Sequence, residues 1–139
     1  MEMSGYMQGD THFFPVRVYY SDTDAGGVVY HAKYLDFAEH ARTEMLRSSG
    51  KEQQPQLSEG NTGFIVQSLS ITYSKPAYLD DLLIVETSII KRAVFSMVLK
   101  QEIKREGELI SSMQIRVGHV SLDEGKPVPI PLVWREILG

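Results

Sequence analysis

Tyr20-Ser-Asp-Thr-Asp24-Ala-Gly-Gly-Val-Val-Tyr30-His31-Ala-Lys-Tyr34 is the stretch on which the fold turns, because acids, a histidine, tyrosines and paired glycines gather there just before a helical pattern. Ala32 to Arg47 contains neither Gly nor Pro, and Tyr34, Phe37, Ala38, Ala41 and Met45 recur at i, i+3, i+4, i+7 and i+11, one stripe of a helix. Gly26-Gly27 gives the chain backbone angles closed to other residues and lets it pass close to a ligand. No Ser, Thr, Asp or Asn lies between Val28 and Lys33 to cap the helix, so its first amides are expected to be open. Open amides and the helix dipole favour negative charge, as on a carbonyl oxygen becoming an oxyanion. Asp24 stands a few residues upstream of that position.

Working outward, Pro15 to Tyr20 is rich in β-branched and aromatic residues and reads as a short strand, whereas residues 1–14 show no period and read as a flexible lead-in. Gly50 suits a helix C-terminal cap, and Lys51 to Thr62 reads as a polar loop. From Phe64 the period becomes two, with Leu69, Ile71 and Tyr73 alternating with Ser68, Ser70 and Thr72 until Lys75-Pro76. Leu82 to Lys91 is mostly apolar and is expected to be a strand covered on both faces. Phe95 to Ile103 and a strand alternating at Met113, Ile115 and Val117 complete the set, followed by Pro127, Pro129 and Pro131 and a closing helical turn in Leu132 to Leu138. Residues 15–139 therefore predict a single α+β domain, a five-stranded antiparallel sheet wrapped around one long central helix in the hotdog topology.

The chain has 139 residues and a formal charge of −4, its 14 Lys and Arg scattered among 18 Asp and Glu, which argues against a nucleic-acid partner. Cysteine is absent, which excludes disulfides and thiolate chemistry. His31 and His40 are nine positions apart and do not share the i, i+4 face of a zinc pair, so no metal site and no cofactor is expected. Neither a signal-peptide pattern nor an apolar run of membrane-spanning length is present, and the expected setting is a cytoplasmic protein without membrane insertion.

The chain resembles the hotdog-fold acyl-CoA thioesterases of the 4-hydroxybenzoyl-CoA thioesterase family, in the branch associated with the bacterial Tol-Pal system. The resemblance rests on V-R-V-Y-Y-x-D-T-D-A-G-G-V-V-Y-H-A-x-Y, written from Val16 to Tyr34, and on A-R-T-E-M-L-R from Ala41 to Arg47, with the strand pattern extending it to about Val120. It implies hydrolysis of an acyl-CoA thioester with Asp24 as the catalytic carboxylate and Tyr20 and His31 in support. It further implies a homo-oligomer, a dimer joined sheet edge to sheet edge or a dimer of such dimers, with active sites at the subunit interface. Envelope or lipid-synthesis proteins are the further partners implied.

Several of these residues also have plainer readings. Asp22 and Asp24 are ordinary turn acids beside Gly-Gly, and the resemblance moves Asp24 alone out of that class. His31 reads as a packed or capping group, or as a catalytic group or one orienting the substrate. Tyr30, Tyr34 and Phe37 read as core, although Tyr20 and Tyr30 can present hydroxyls to a substrate carbonyl or to Asp24, and Gly27, Val29 and Tyr30 are expected to line the substrate. Lys75, Lys91 and Arg92 read as solvated charges or as cations for nucleotide phosphates. Two rival functions, an acyl-thioester hydratase or dehydratase and a non-catalytic acyl-binding adaptor, use the same residues without releasing thiol.

Overall fold

The computed structural model describes residues 3–48, 55 and 60–137, without the side chains of residues 133, 136 and 137. The expected cap at Gly50 and most of the expected loop after it lie outside the described residues. The elements are β1 (Tyr6–Gln8), β2 (Thr11–Arg17), a 3-10 turn (Tyr20–Asp22), α1 (Lys33–Ser48), β3 (Thr62–Tyr73), β4 (Leu82–Arg92), β5 (Ser96–Arg105), β6 (Glu108–Ser121) and α2 (Leu132–Ile137). The strands form one sheet in the order β1-β2-β4-β5-β6-β3, with every neighbouring pair antiparallel. One long helix lies against this sheet in the hotdog arrangement, which has six strands rather than the five expected.

The sixth strand comes from the segment expected as a lead-in. Tyr6 to Gln8 pairs with Thr11 to Phe13, and the Tyr6 and Phe13 rings stack with centroids 5.3 Å apart. Gly5 makes this hairpin possible: its φ is +72°, and a Cβ there would come within 2.1 Å of the Phe13 carbonyl oxygen. The following strand begins at Thr11 instead of Pro15 and ends at Arg17 instead of Tyr20. Pro15 hid it from a period-based reading, yet Pro15 lies past the last β1 pair, where the outer side of β2 is an edge and a missing N–H costs little.

The core forms where the stripe of α1 meets the concave face of the sheet. Tyr34, Phe37, Ala38, Ala41, Met45 and Leu46 are buried against Leu83, Val85, Leu99, Ile103, Met113 and Ile115. Gln101, fully buried on β5, fixes the helix against the sheet: its Nε2 donates to the Ala38 carbonyl at 2.9 Å and to Thr87 Oγ1 at 3.0 Å, and its Oε1 accepts from Arg42 at 3.0 Å. β4 is not covered on both faces as expected, because Leu83, Val85 and Thr87 are buried while Ile90 is exposed. β3 forms the far edge of the sheet and leaves Ile65, Val66, Leu69 and Tyr73 exposed along its length.

Two histidines are part of this interior. His12 Nε2 lies 2.8 Å from the Ser4 carbonyl, and His119 Nδ1 lies 3.1 Å from the Val128 carbonyl, its ring against Phe64 and Trp134. Burial pushes both imidazoles below their ordinary value of 6.5, with the backbone contacts opposing it. Both bind a proton less readily in the folded chain than in the unfolded one, so the stability this contributes is complete above about pH 6.5 and is lost as the pH falls below it. The melting temperature is expected to be level from about pH 8 to 7 and to fall on going towards about pH 5. A flat profile over that range would refute the lowered proton affinity of the two buried rings.

Candidate active site

The chain leaves β2 through Val18, which is buried and tied on both sides: its N–H donates to the Asp81 carbonyl at 2.9 Å and its carbonyl accepts from Asp80 N–H at 3.0 Å. Asp22 then closes the 3-10 turn, Oδ2 accepting the Tyr19 amide at 2.9 Å, with Lys33 Nζ 3.9 Å from Oδ1. That is the structural turn acid expected of it. Asp24 begins a tight loop in which its N–H donates to the Val28 carbonyl at 2.9 Å and its carbonyl accepts from Gly27 at 3.1 Å. Gly27 stands at φ +78°, with open space where a Cβ would be.

The Asp24 carboxylate is exposed. Its Oδ1 accepts the Gly26 N–H at 2.9 Å, and Oδ2 has no partner among the described residues. A carboxylate with one oxygen fixed and the other free can act as a nucleophile or take a proton. Its loop is carried by a short ladder: Val29 N–H donates to the Ala77 carbonyl at 2.9 Å, Leu79 N–H donates to the Gly27 carbonyl at 3.0 Å, and Val28 bridges Tyr78.

At the helix start, where no residue caps the first amides, some of them are bonded and some are not. The amides of Gly27, Val29 and Tyr30 are used inside the chain, the last donating to the Asp22 carbonyl at 2.9 Å. Those of His31, Ala32 and Tyr34 find no acceptor among the described residues, so the open donors lie one step further along the chain. Tyr30 is half exposed rather than core, its ring 4.5 Å from that of His31. His31 is exposed and forms no hydrogen bond to Asp24. Its carbonyl accepts from the Tyr73 hydroxyl at 2.9 Å, and the two rings meet edge to face at 6.4 Å. Tyr20 is 80% exposed, and its hydroxyl bonds to no described residue.

The three cations do not come together within one chain. Lys75 follows β3 and pairs with Glu108 at 2.5 Å, drawing that carboxyl below its usual range. Lys91 and Arg92 end β4, opposite Val98 and Met97. The backbone at Lys75 is bonded to Ile110, whereas Val98 is opposite Arg116, so the two ends are about 20 Å apart along the strands at roughly 3.3 Å per residue.

Two tyrosines that periodicity marked only as strand and helix positions hold the site in shape. Tyr73 links β3 to His31, and buried Tyr34 accepts the Ala77 N–H on its hydroxyl at 3.2 Å, with burial raising the pKa of its phenol. Both contacts join elements far apart in the chain, and no local signal announces them. No cluster of three metal-ligating side chains occurs among the described residues.

Residues 18–138 match the model of the thioesterase-like superfamily. The acyl-CoA thioesterase YbgC of Haemophilus influenzae is 48% identical over 118 residues, covering 85% of this chain and 87% of that protein. Among solved structures, a probable thioesterase from Bartonella henselae superposes with a TM-score of 0.83 at 35% identity, covering 87% of this chain and 99% of that one. A 1,4-dihydroxy-2-naphthoyl-CoA thioesterase from Synechocystis superposes with a TM-score of 0.85 at 27% identity, covering 92% and 95%.

The two tyrosines predict different costs. Tyr34→Phe leaves the Ala77 amide unpaired in the interior and is expected to lower stability by about 1–3 kcal/mol. Tyr73→Phe exposes a carbonyl that water can reach and is expected to cost only about 0.5–1.5 kcal/mol. Urea midpoints of the two variants measure the difference, and an equal or reversed order would contradict the burial of the Tyr34 contact.

Proposed function

The chain belongs to the thioesterase-like superfamily, and on that footing we propose that Asp24 is the catalytic carboxylate of an acyl-CoA thioesterase. The enzyme is a hydrolase of thioester bonds that converts an acyl-CoA and water to the free acid and coenzyme A. The observation that carries the assignment of Asp24 is the division of labour between its oxygens: Oδ1 is fixed by the Gly26 amide while Oδ2 is free.

A thiol with a pKa of about 8.5 leaves readily as thiolate, so the enzyme has mainly to promote attack. Oδ2 adds to the thioester carbonyl to give a mixed anhydride that water then opens, or it takes a proton from the water that attacks. The amides of His31 and Ala32 receive the developing oxyanion, and His31 orients the substrate from the helix start. Lys75, Lys91 and Arg92 are our assignment for the phosphates of the coenzyme, and their separation of about 20 Å calls for an extended ligand or for two subunits. The hydratase and adaptor alternatives part from this reading at one observable, since neither releases free thiol.

Assembly follows from the edges of the sheet. β1 covers part of one edge, while the 12-residue β3 forms an edge that is unpaired among the described residues and bears exposed Ile65, Val66 and Leu69. We assign this edge to a second copy of the chain, which extends the sheet across a two-fold axis. Such dimers can pair again into a dimer of dimers.

Asp24→Asn retains an oxygen for the Gly26 amide but can neither attack nor accept a proton. It is expected to lower thiol release from an acyl-CoA panel by at least about 100-fold with an unchanged melting temperature. Near-normal turnover would remove Asp24 from the mechanism. In light scattering the protein is expected at twice 15.7 kDa or a larger even multiple, and a stable 15.7 kDa particle at micromolar concentration would overturn the edge assignment.

A further inference from the structure

We propose that Arg105 and Asp81 form a positioning clamp for the catalytic loop, an inference that rests on the reading of Asp24 above. Arg105, the last residue of β5, donates from Nη1 to Asp81 Oδ2 at 2.7 Å and to the Pro76 carbonyl at 3.2 Å, and from Nη2 to Glu108 Oε1 at 3.3 Å. Its guanidinium carbon lies 5.9 Å from the centre of the Tyr78 ring. Asp81 Oδ2 also accepts the Tyr78 N–H at 2.9 Å, so a single carboxylate oxygen holds both the arginine and the turn.

The clamp acts on particular residues. Of the four residues between Pro76 and Asp81, its two attachment points, Ala77, Tyr78 and Leu79 pair with Val29, Val28 and Gly27, and Asp80 donates to the Val18 carbonyl. The Asp81 backbone is tied in turn to Val18, on the chain entering the same loop. Both ends of the segment carrying Asp24 are therefore fastened to one turn, and the Arg105 fork fixes the shape of that turn. The pair is largely shielded, with the Arg105 and Asp81 side chains 23% and 22% exposed, and the Asp81 carboxylate beside it raises the pKa of the guanidinium. A forked guanidinium reaches a carboxylate and a carbonyl at set angles, which an ammonium cannot reproduce. Arg105 touches none of the proposed reacting groups; it acts through residues 77–79 on where Oδ2 stands, and a misplacement of about 1 Å can cost on the order of 100-fold in rate.

The test uses the full-length protein and an acyl-CoA that the wild type turns over. Arg105→Gln and Asp81→Asn are each expected to lower kcat by about 10- to 100-fold while KM changes by less than about threefold. The double variant is expected to lose no more than either single, because the two residues act as one unit. Arg105→Lys should recover little. Amide hydrogen exchange at Val29 and Leu79 should quicken in Arg105→Gln at unchanged global stability, a readout that needs no turnover. Unchanged kcat in Arg105→Gln, additive losses in the double variant, full rescue by Arg105→Lys, or unchanged exchange at Val29 and Leu79 would each overturn the clamp. If the wild type itself released no thiol, the thioesterase reading would fall, while the exchange measurement would still decide whether the clamp holds the loop.

Discussion

The structure depends on one constraint: a single amphipathic helix has to cover the concave face of a sheet wider than itself. The stripe from Tyr34 to Leu46 buries six side chains, and hydrophobic burial of this kind has no direction of its own. Gln101 supplies the direction. Wholly buried, it bonds at once to a helix carbonyl, to Thr87 on the neighbouring strand and to the Arg42 guanidinium. Sliding the helix along the sheet would leave a buried amide and a desolvated guanidinium unsatisfied, a penalty that apolar packing alone does not impose.

With the helix fixed, the chain entering it has little freedom. It must pass from the end of β2 to the start of α1 beside the turn that follows β3, and its backbone meets that turn as a short ladder. The ladder consumes the amide of Val29, the Asp22 carbonyl takes that of Tyr30, and those of His31 and Ala32 stay open among the described residues. Asp24 then projects from a loop closed at its base rather than from a mobile segment. The rigidity of the site is therefore imported from the sheet, and the loop itself contributes only the glycines that let it turn.

This division explains what could be read from the sequence. The Tyr34–Met45 stripe, the alternation at Leu69, Ile71 and Tyr73, and Asp22 as a turn acid are local features, and local periodicity or turn chemistry reports them. β1 and the start of β2 escaped because adjacent Phe13 and Phe14 break the alternation and Pro15 argues against a strand, while the pairing that admits them depends on Gly5 and a partner strand far along the chain. The mostly apolar composition of β4 suggested burial on both faces, whereas Ile90 and the end of the strand are exposed. At the site, the missing cap predicted open amides at the helix start, yet which amides stay open is decided by the acceptors at Ala77 and Asp22, whose positions only the fold supplies. The roles of Tyr73 and Arg105 are likewise long-range contacts and leave no local trace.

The exposed carboxylate and the open sheet edge are linked. A hydrated Asp24 is a poor nucleophile and a poor base, because water stabilises its charge before any substrate arrives. Among the described residues nothing bonds to Oδ2, and the half-exposed rings of Tyr30 and Tyr73 leave that end of α1 open. Tyr73 belongs to β3, so whatever pairs with this strand also approaches the helix start and the groups bonded to it. Covering Val66 and Leu69 on the same strand removes apolar surface from water, while excluding solvent from the neighbouring site strengthens every charge interaction within it. The association we propose along β3 would stabilise the sheet and dry the proposed catalytic groups in one step, which would account for an apolar edge lying next to a polar site.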